Sequence, residues 1–117
     1  MCEDNEEYGF AEESPYIDLA VEVFSLLADA TRVRIILALR DCERPVGELA
    51  EIVGKTPTVV SQHLAKMRLG RIVQARQEGR KMFYSLVNEH ARTLVMQAVY
   101  QAQHAVEDNP LHPHWEN

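Results

Sequence analysis

The stretch "VGELAEIVGKTPTVVSQHLAKMRLG", residues 46–70, restricts the fold more than any other part of the chain. Two short amphipathic segments meet there across Gly54, Lys55 and Thr56. Val46, Leu49, Ala50 and Val53 recur at helical spacing in the first, and Val60, Leu64 and Met67 recur in the second. Gly54 suits the end of a helix. Thr56 suits the N-cap of the next, and Pro57 suits a first turn, where the missing amide hydrogen does no harm. A turn of about three residues makes the two helices pack at an angle, as a helix-turn-helix.

The flanks extend this unit on both sides. Upstream, "SPYIDLAVEVFSLLADA" predicts a helix capped by Ser14, with Pro15 in its first turn and Ile17, Ala20, Val21, Phe24, Leu27 and Ala28 facing inward. A second helix follows in "ATRVRIILALRDC", with Val33, Ile36, Leu37 and Ala38 or Leu39 on one face. Downstream the period changes. Val73 and Ala75 alternate with polar residues, as do Met82, Tyr84 and Leu86, and Gly79 between them supplies a hairpin turn. This is a two-stranded wing. A long last helix runs from about Asn88 to Asp108, where "DNP" breaks it.

The expected architecture is mainly α with a small β-hairpin, a winged helix-turn-helix of four helices, two strands and a final helix. Its boundaries are an acidic leader at 1–13, the domain at 14–108 and a histidine-containing tail at 109–117. A chain of 117 residues has room for one such domain and buries a modest share of its surface, so a partner subunit would help. No apolar run is long enough for a membrane span, and the acidic start lacks the features of a secretion signal. Two cysteines without a CxxC spacing fit a reducing, cytoplasmic setting.

In a winged helix-turn-helix the second helix enters the major groove. Thr56, Thr58, Ser61, Gln62 and His63 are then the candidates nearest the base edges, and Lys66 and Arg68 suit phosphates. Arg76, Arg80 and Lys81 at the wing turn can reach the backbone or the minor groove. The net charge of −6 argues against nonspecific coating of nucleic acid. It leaves room for a local basic strip, because the acids concentrate at the two ends of the chain.

The ordered combination "LLADATRVRIILAL", "VGELAEIVG", "VSQHLAKMRLGRIV" and "RQEGRKMFYSLVNEHA" resembles the ArsR/SmtB family of bacterial metal-responsive repressors over nearly all of residues 18–107. The resemblance implies a homodimer joined through the first and last helices, and repression at double-stranded operator DNA that an inducer relieves.

Four of the five histidines, His90, His104, His112 and His114, lie in or beyond the last helix. At 1.5 Å per residue His90 and His104 are about 21 Å apart and cannot share an ion within one chain. With Gln97 and Gln101 they form a narrow strip beside an apolar face. If two such helices pack antiparallel about a two-fold axis, His90 of one chain meets His104 of the other. Imidazoles with amide or carboxylate oxygens suit nickel, cobalt or zinc.

The metal pattern of the family's last helix lands on Asn88, His90, Gln101 and His104, where Asn88 and Gln101 are weaker neutral donors. A nickel- and cobalt-sensing branch combines last-helix histidines with a histidine-bearing tail, and on that pattern His90, His104, His112 and His114 all find a place. Glu107 is a further oxygen donor. The resemblance therefore implies a metal-sensing repressor whose metal-free dimer holds DNA and whose inducer is nickel or cobalt, or else zinc. The alternative is a redox- or sulfur-responsive repressor of the same type that uses Cys2 and Cys42. No HExxH, nucleophile elbow or phosphate-binding loop supports an enzyme.

Overall fold

The computed structural model describes residues 12–107. The elements run α1 (Ile17–Leu27), α2 (Ala30–Ala38), β1 (Arg44–Pro45), α3 (Val46–Val53), α4 (Pro57–Leu69), β2 (Val73–Glu78), β3 (Lys81–Leu86) and α5 (His90–Glu107). The expected positions Cys2, Asp108, His112 and His114 lie outside the described residues.

Helix starts and stops follow side-chain chemistry. Asp29 caps α2, its Oδ1 accepting the amide hydrogen of Arg32 at 3.0 Å. Thr56 caps α4 by accepting from the Val59 amide at 3.2 Å, with Pro57 next in line. Gly54 closes α3 in the left-handed conformation at φ 71°, which glycine adopts without steric cost. Ser14 is not the N-cap expected of it, because the helix starts later and Tyr16 takes that position without a side-chain hydrogen bond. The Ser14 Oγ accepts from the Tyr16 amide, and α1 proper begins at Ile17.

The core lies where α2, α3, α4 and the start of α5 converge on the sheet. Val60, Leu64 and Met67 of α4 are fully buried, as are Leu49 of α3 and Val73 of β2. In α2 the inward pair is Ile35 and Ile36, joined by Leu39, while Val33, Leu37 and Ala38 are only half-buried. Apolar residues of α2 are spread around the helix with Thr31, Arg32 and Arg34 between them, so spacing alone misplaces its buried face.

The sheet has three strands in the order β1-β3-β2, all antiparallel. The hairpin pairs Val73 with Leu86 and Glu78 with Lys81, around Gly79 at φ 62°. The third strand is an addition to the expected two. Arg44 and Pro45 pair with Tyr84 and Phe83 at the edge of the sheet, where a proline without an amide hydrogen is tolerated.

Helix α1 departs from the expected burial. Only Leu27 is buried, while Leu19, Val21 and Phe24 are each more than half exposed. In α5 only Ala91 and Val95 are buried, and Val99, Tyr100 and Val106 stand exposed. Between the two helices runs an apolar groove of ≈ 310 Å³ that includes Phe24, Ala28, Leu94, Ala98 and Ala102. Apart from Leu27, the expected inward positions of α1 are exposed in a single protomer.

Candidate nucleic-acid interface

Burial of Val60, Leu64 and Met67 fixes the rotation of α4 and leaves Thr58, Ser61, Gln62 and Lys66 exposed. Lys66 and Arg68 fall in the last turn, where cations complement the carbonyl end of the helix dipole. Thr56 is exposed, but its hydroxyl is already committed to the cap. His63 is half-buried. Its Nδ1 accepts a hydrogen bond at 3.0 Å from Nε of Arg32 in α2.

On the wing, Arg80 and Lys81 are exposed at and beside the turn. Arg76 is engaged. Its Nε donates to Glu43 Oε2 at 3.2 Å, its Nη1 donates to Glu78 Oε1 at 2.6 Å, and its guanidinium carbon lies 5.1 Å from the Phe83 ring centroid. The hydrogen bond from Arg76 holds the Glu43 carboxyl below its ordinary value, and the two carboxylates raise the arginine above its own. Arg76 therefore fastens the wing to the segment before β1.

A shallow cavity of ≈ 520 Å³ separates α4 from the wing, lined by Ser61, Ala65, Arg68, Leu69, Arg71 and Tyr84. Two arginines on a concave surface beside the exposed face of α4 give it the charge that a phosphate backbone needs. Arg71 stands there in the left-handed conformation at φ 63°.

The candidate metal donors sit at the two ends of α5. His90 is its first residue and His104 lies in its last turn, and both are exposed. Asn88 Oδ1 accepts the His90 amide hydrogen at 2.9 Å, so this oxygen serves the helix start. Gln101 is exposed, and Glu107 Oε2 accepts from Gln103 Nε2 at 3.0 Å. Among the described residues no three His, Cys, Asp or Glu side chains come together as a metal site. Imidazoles at opposite helix ends fit a metal only as a set completed from elsewhere. Cys42 is exposed as a free thiol between α2 and β1.

The sequence reading missed Arg32 and Glu43 as partners of the interface. Asp29 marks the start of α2 but takes only the backbone amide of Arg32, and nothing local marks either side-chain pairing.

An exposed polar helix set on a helix-turn-helix, with a basic wing beside it, defines a DNA-binding module. Residues 29–75 match the family described as "Bacterial regulatory protein, arsR family". The chain is 54% identical over 94 residues to the HTH-type transcriptional regulator KmtR of Mycobacterium tuberculosis, covering 80% of this chain and 72% of that protein. It is 35% identical over 92 residues to the HTH-type transcriptional repressor SmtB of the same species, covering 79% and 66%.

Among solved structures, the homodimeric winged helix-turn-helix DNA-binding domain of Mb0332 from Mycobacterium bovis, a possible ArsR-family transcriptional regulator, superposes with a TM-score of 0.72. It shares 27% identity, and the match covers 85% of this chain and 95% of that one. The chain belongs to the ArsR family of DNA-binding transcriptional regulators, and it is not an enzyme. Among the described residues no helix is long and apolar enough to cross a membrane.

Proposed function

We propose that the chain is a metal-sensing transcriptional repressor in the cytoplasm that acts as a homodimer. The metal-free dimer holds a two-fold operator through α4 and the wing. Nickel or cobalt, or else zinc, releases it by binding between subunits at His90 of one chain and His104 of the other, with His112 and His114 of the tail. The supporting observation is the placement of His90 and His104 at opposite ends of an α5 whose apolar side is exposed along with that of α1. Antiparallel packing of that surface on a second copy covers the apolar groove and brings unlike helix ends together.

The ion supplies a cross-link that fixes the two α5 helices relative to each other. The rest follows from linkage. An ion that binds the weakly DNA-binding arrangement more tightly lowers operator affinity by its differential affinity, about 5- to 150-fold for a coupling of about 1–3 kcal/mol. Operator binding must then weaken metal binding by the same factor. Titration of the full-length dimer with nickel, cobalt and zinc, read by fluorescence anisotropy of a labelled operator duplex, tests this directly. Loss of affinity with at least one ion, abolished in His90→Ala/His104→Ala, is expected; indifference to all three refutes the sensor.

A further inference from the structure

Arg32 stands between three helices. Its backbone amide is fixed by the Asp29 cap at the start of α2, its Nη1 donates to the carbonyl of Leu26 near the end of α1 at 2.9 Å, and its Nε donates to His63 Nδ1 in the middle of α4 at 3.0 Å. A second contact joins the same two helices. The Leu26 side chain lies over Gly70, the residue that ends α4, so closely that a Cβ there would come 2.5 Å from Leu26 Cδ2. The end of α1 is thus tied to the middle of α4 through Arg32 of α2, by one hydrogen bond to each, and to the terminus of α4 by close packing. We propose that Arg32 and His63 form a positioning couple that sets α4 against the end of α1, so that operator affinity depends on this bond although His63 reads no base.

The bond selects a state of the imidazole. Nδ1 accepts only while it carries no proton, so the ring proton must sit on Nε2. A second proton turns the acceptor into a donor aimed at a guanidinium and breaks the couple. Arg32 from α2 and Asp29 from the turn before it are charged groups close to the imidazole. Direct contact of His63 with a phosphate predicts the opposite, because an imidazolium would grip DNA more tightly. Since α1 carries the apolar face left open in a single protomer, the couple hands any change in the setting of α1 to the helix beside the DNA.

The proposal rests on α4 being the helix that enters DNA. It is independent of which inducer acts, and it is tested on metal-free full-length protein. The probe is a labelled duplex selected by the parent protein from a randomised pool. His63→Leu fills the space without an acceptor and should weaken binding about tenfold, the scale of mutations along a coupling route. His63→Asn places an oxygen where Nδ1 stands and should restore affinity. Thermal melting of each variant confirms the fold. A double-mutant cycle of His63→Leu with Arg32→Met should be strongly non-additive.

Equal losses in His63→Asn and His63→Leu, or an additive cycle, would each overturn the couple. Lys66→Ala separates the two layers of the argument. If Lys66→Ala binds normally, the α4 reading fails and takes the proposal with it; if Lys66→Ala weakens binding while His63→Leu does not, only the couple fails.

Discussion

Glu43 and Arg76 join the segment before β1 to the wing through two hydrogen bonds, although the two residues are 33 positions apart in the chain. The arginine that a sequence reader assigns to DNA is thus already neutralised by carboxylates of its own chain. Glu43→Gln should release part of it. The slope of log operator affinity against log salt should then steepen by about one phosphate contact, whereas Arg76→Ala in the parent should leave the slope nearly unchanged. Filter binding or anisotropy across a salt series reads both.

The pH dependence of this latch has a definite sign. The Glu43 carboxyl is depressed in the folded chain by its hydrogen bond from Arg76, from an ordinary value of 4.5. Its contribution is therefore full above that ordinary value and is lost as pH falls through the lower folded one. Carboxyl chemical shifts should show Glu43 titrating at lower pH in the parent than in Arg76→Ala. The latch should be insensitive to any change around neutrality.

The exposed face of α4 divides into residues that specify sequence and residues that supply grip. Gln62→Ala should cost about 1–3 kcal/mol at one base pair and relax preference there, if its amide pairs with adenine. Lys66→Ala should weaken binding to all sequences alike and lower the salt slope by about one. Comparing a selected site with its single-base variants distinguishes these outcomes. Equal behaviour of the two variants would remove Gln62 from base reading.

Helix α4 was legible because Val60, Leu64 and Met67 keep helical spacing among polar neighbours, and because Thr56 and Pro57 mark its start. The inward face of α2 was not, since its apolar residues are scattered around the helix among Thr31, Arg32 and Arg34 and no single stripe singles out Ile35. Strand β1 is two residues long, too short to show alternation. The Arg32–His63 and Arg76–Glu43 bonds join positions 31 and 33 apart, and only folding brings such pairs together. In α1 the apolar residues keep helical spacing, yet apart from Leu27 the face they form is exposed in the protomer, because spacing marks an apolar face without saying what covers it.

That open face predicts dimer-dependent binding. Val99→Glu in α5 and Phe24→Glu in α1 change side chains that are 42% and 56% exposed in the protomer, so each domain should still fold. Sedimentation should show monomers. Operator affinity should fall by about 10²-fold or more, because two linked half-site contacts become one. A dimer that survives both substitutions would move the interface elsewhere.

Asn88 and His90 separate capping from metal binding. Because Asn88 Oδ1 holds the first amide of α5, Asn88→Ala should cost about 1 kcal/mol of stability in denaturant melts while metal affinity stays within about twofold. Asn88→Asp keeps an oxygen acceptor for the His90 amide, and its charge favours a helix start. It also places a carboxylate two residues before an imidazole, a donor pair that suits zinc. Zinc affinity should therefore rise in Asn88→Asp relative to nickel, as measured by competition with a chromophoric chelator. If Asn88→Ala instead abolishes metal uptake while its melting curve is unchanged, then the amide oxygen belongs to the ion and not to the helix.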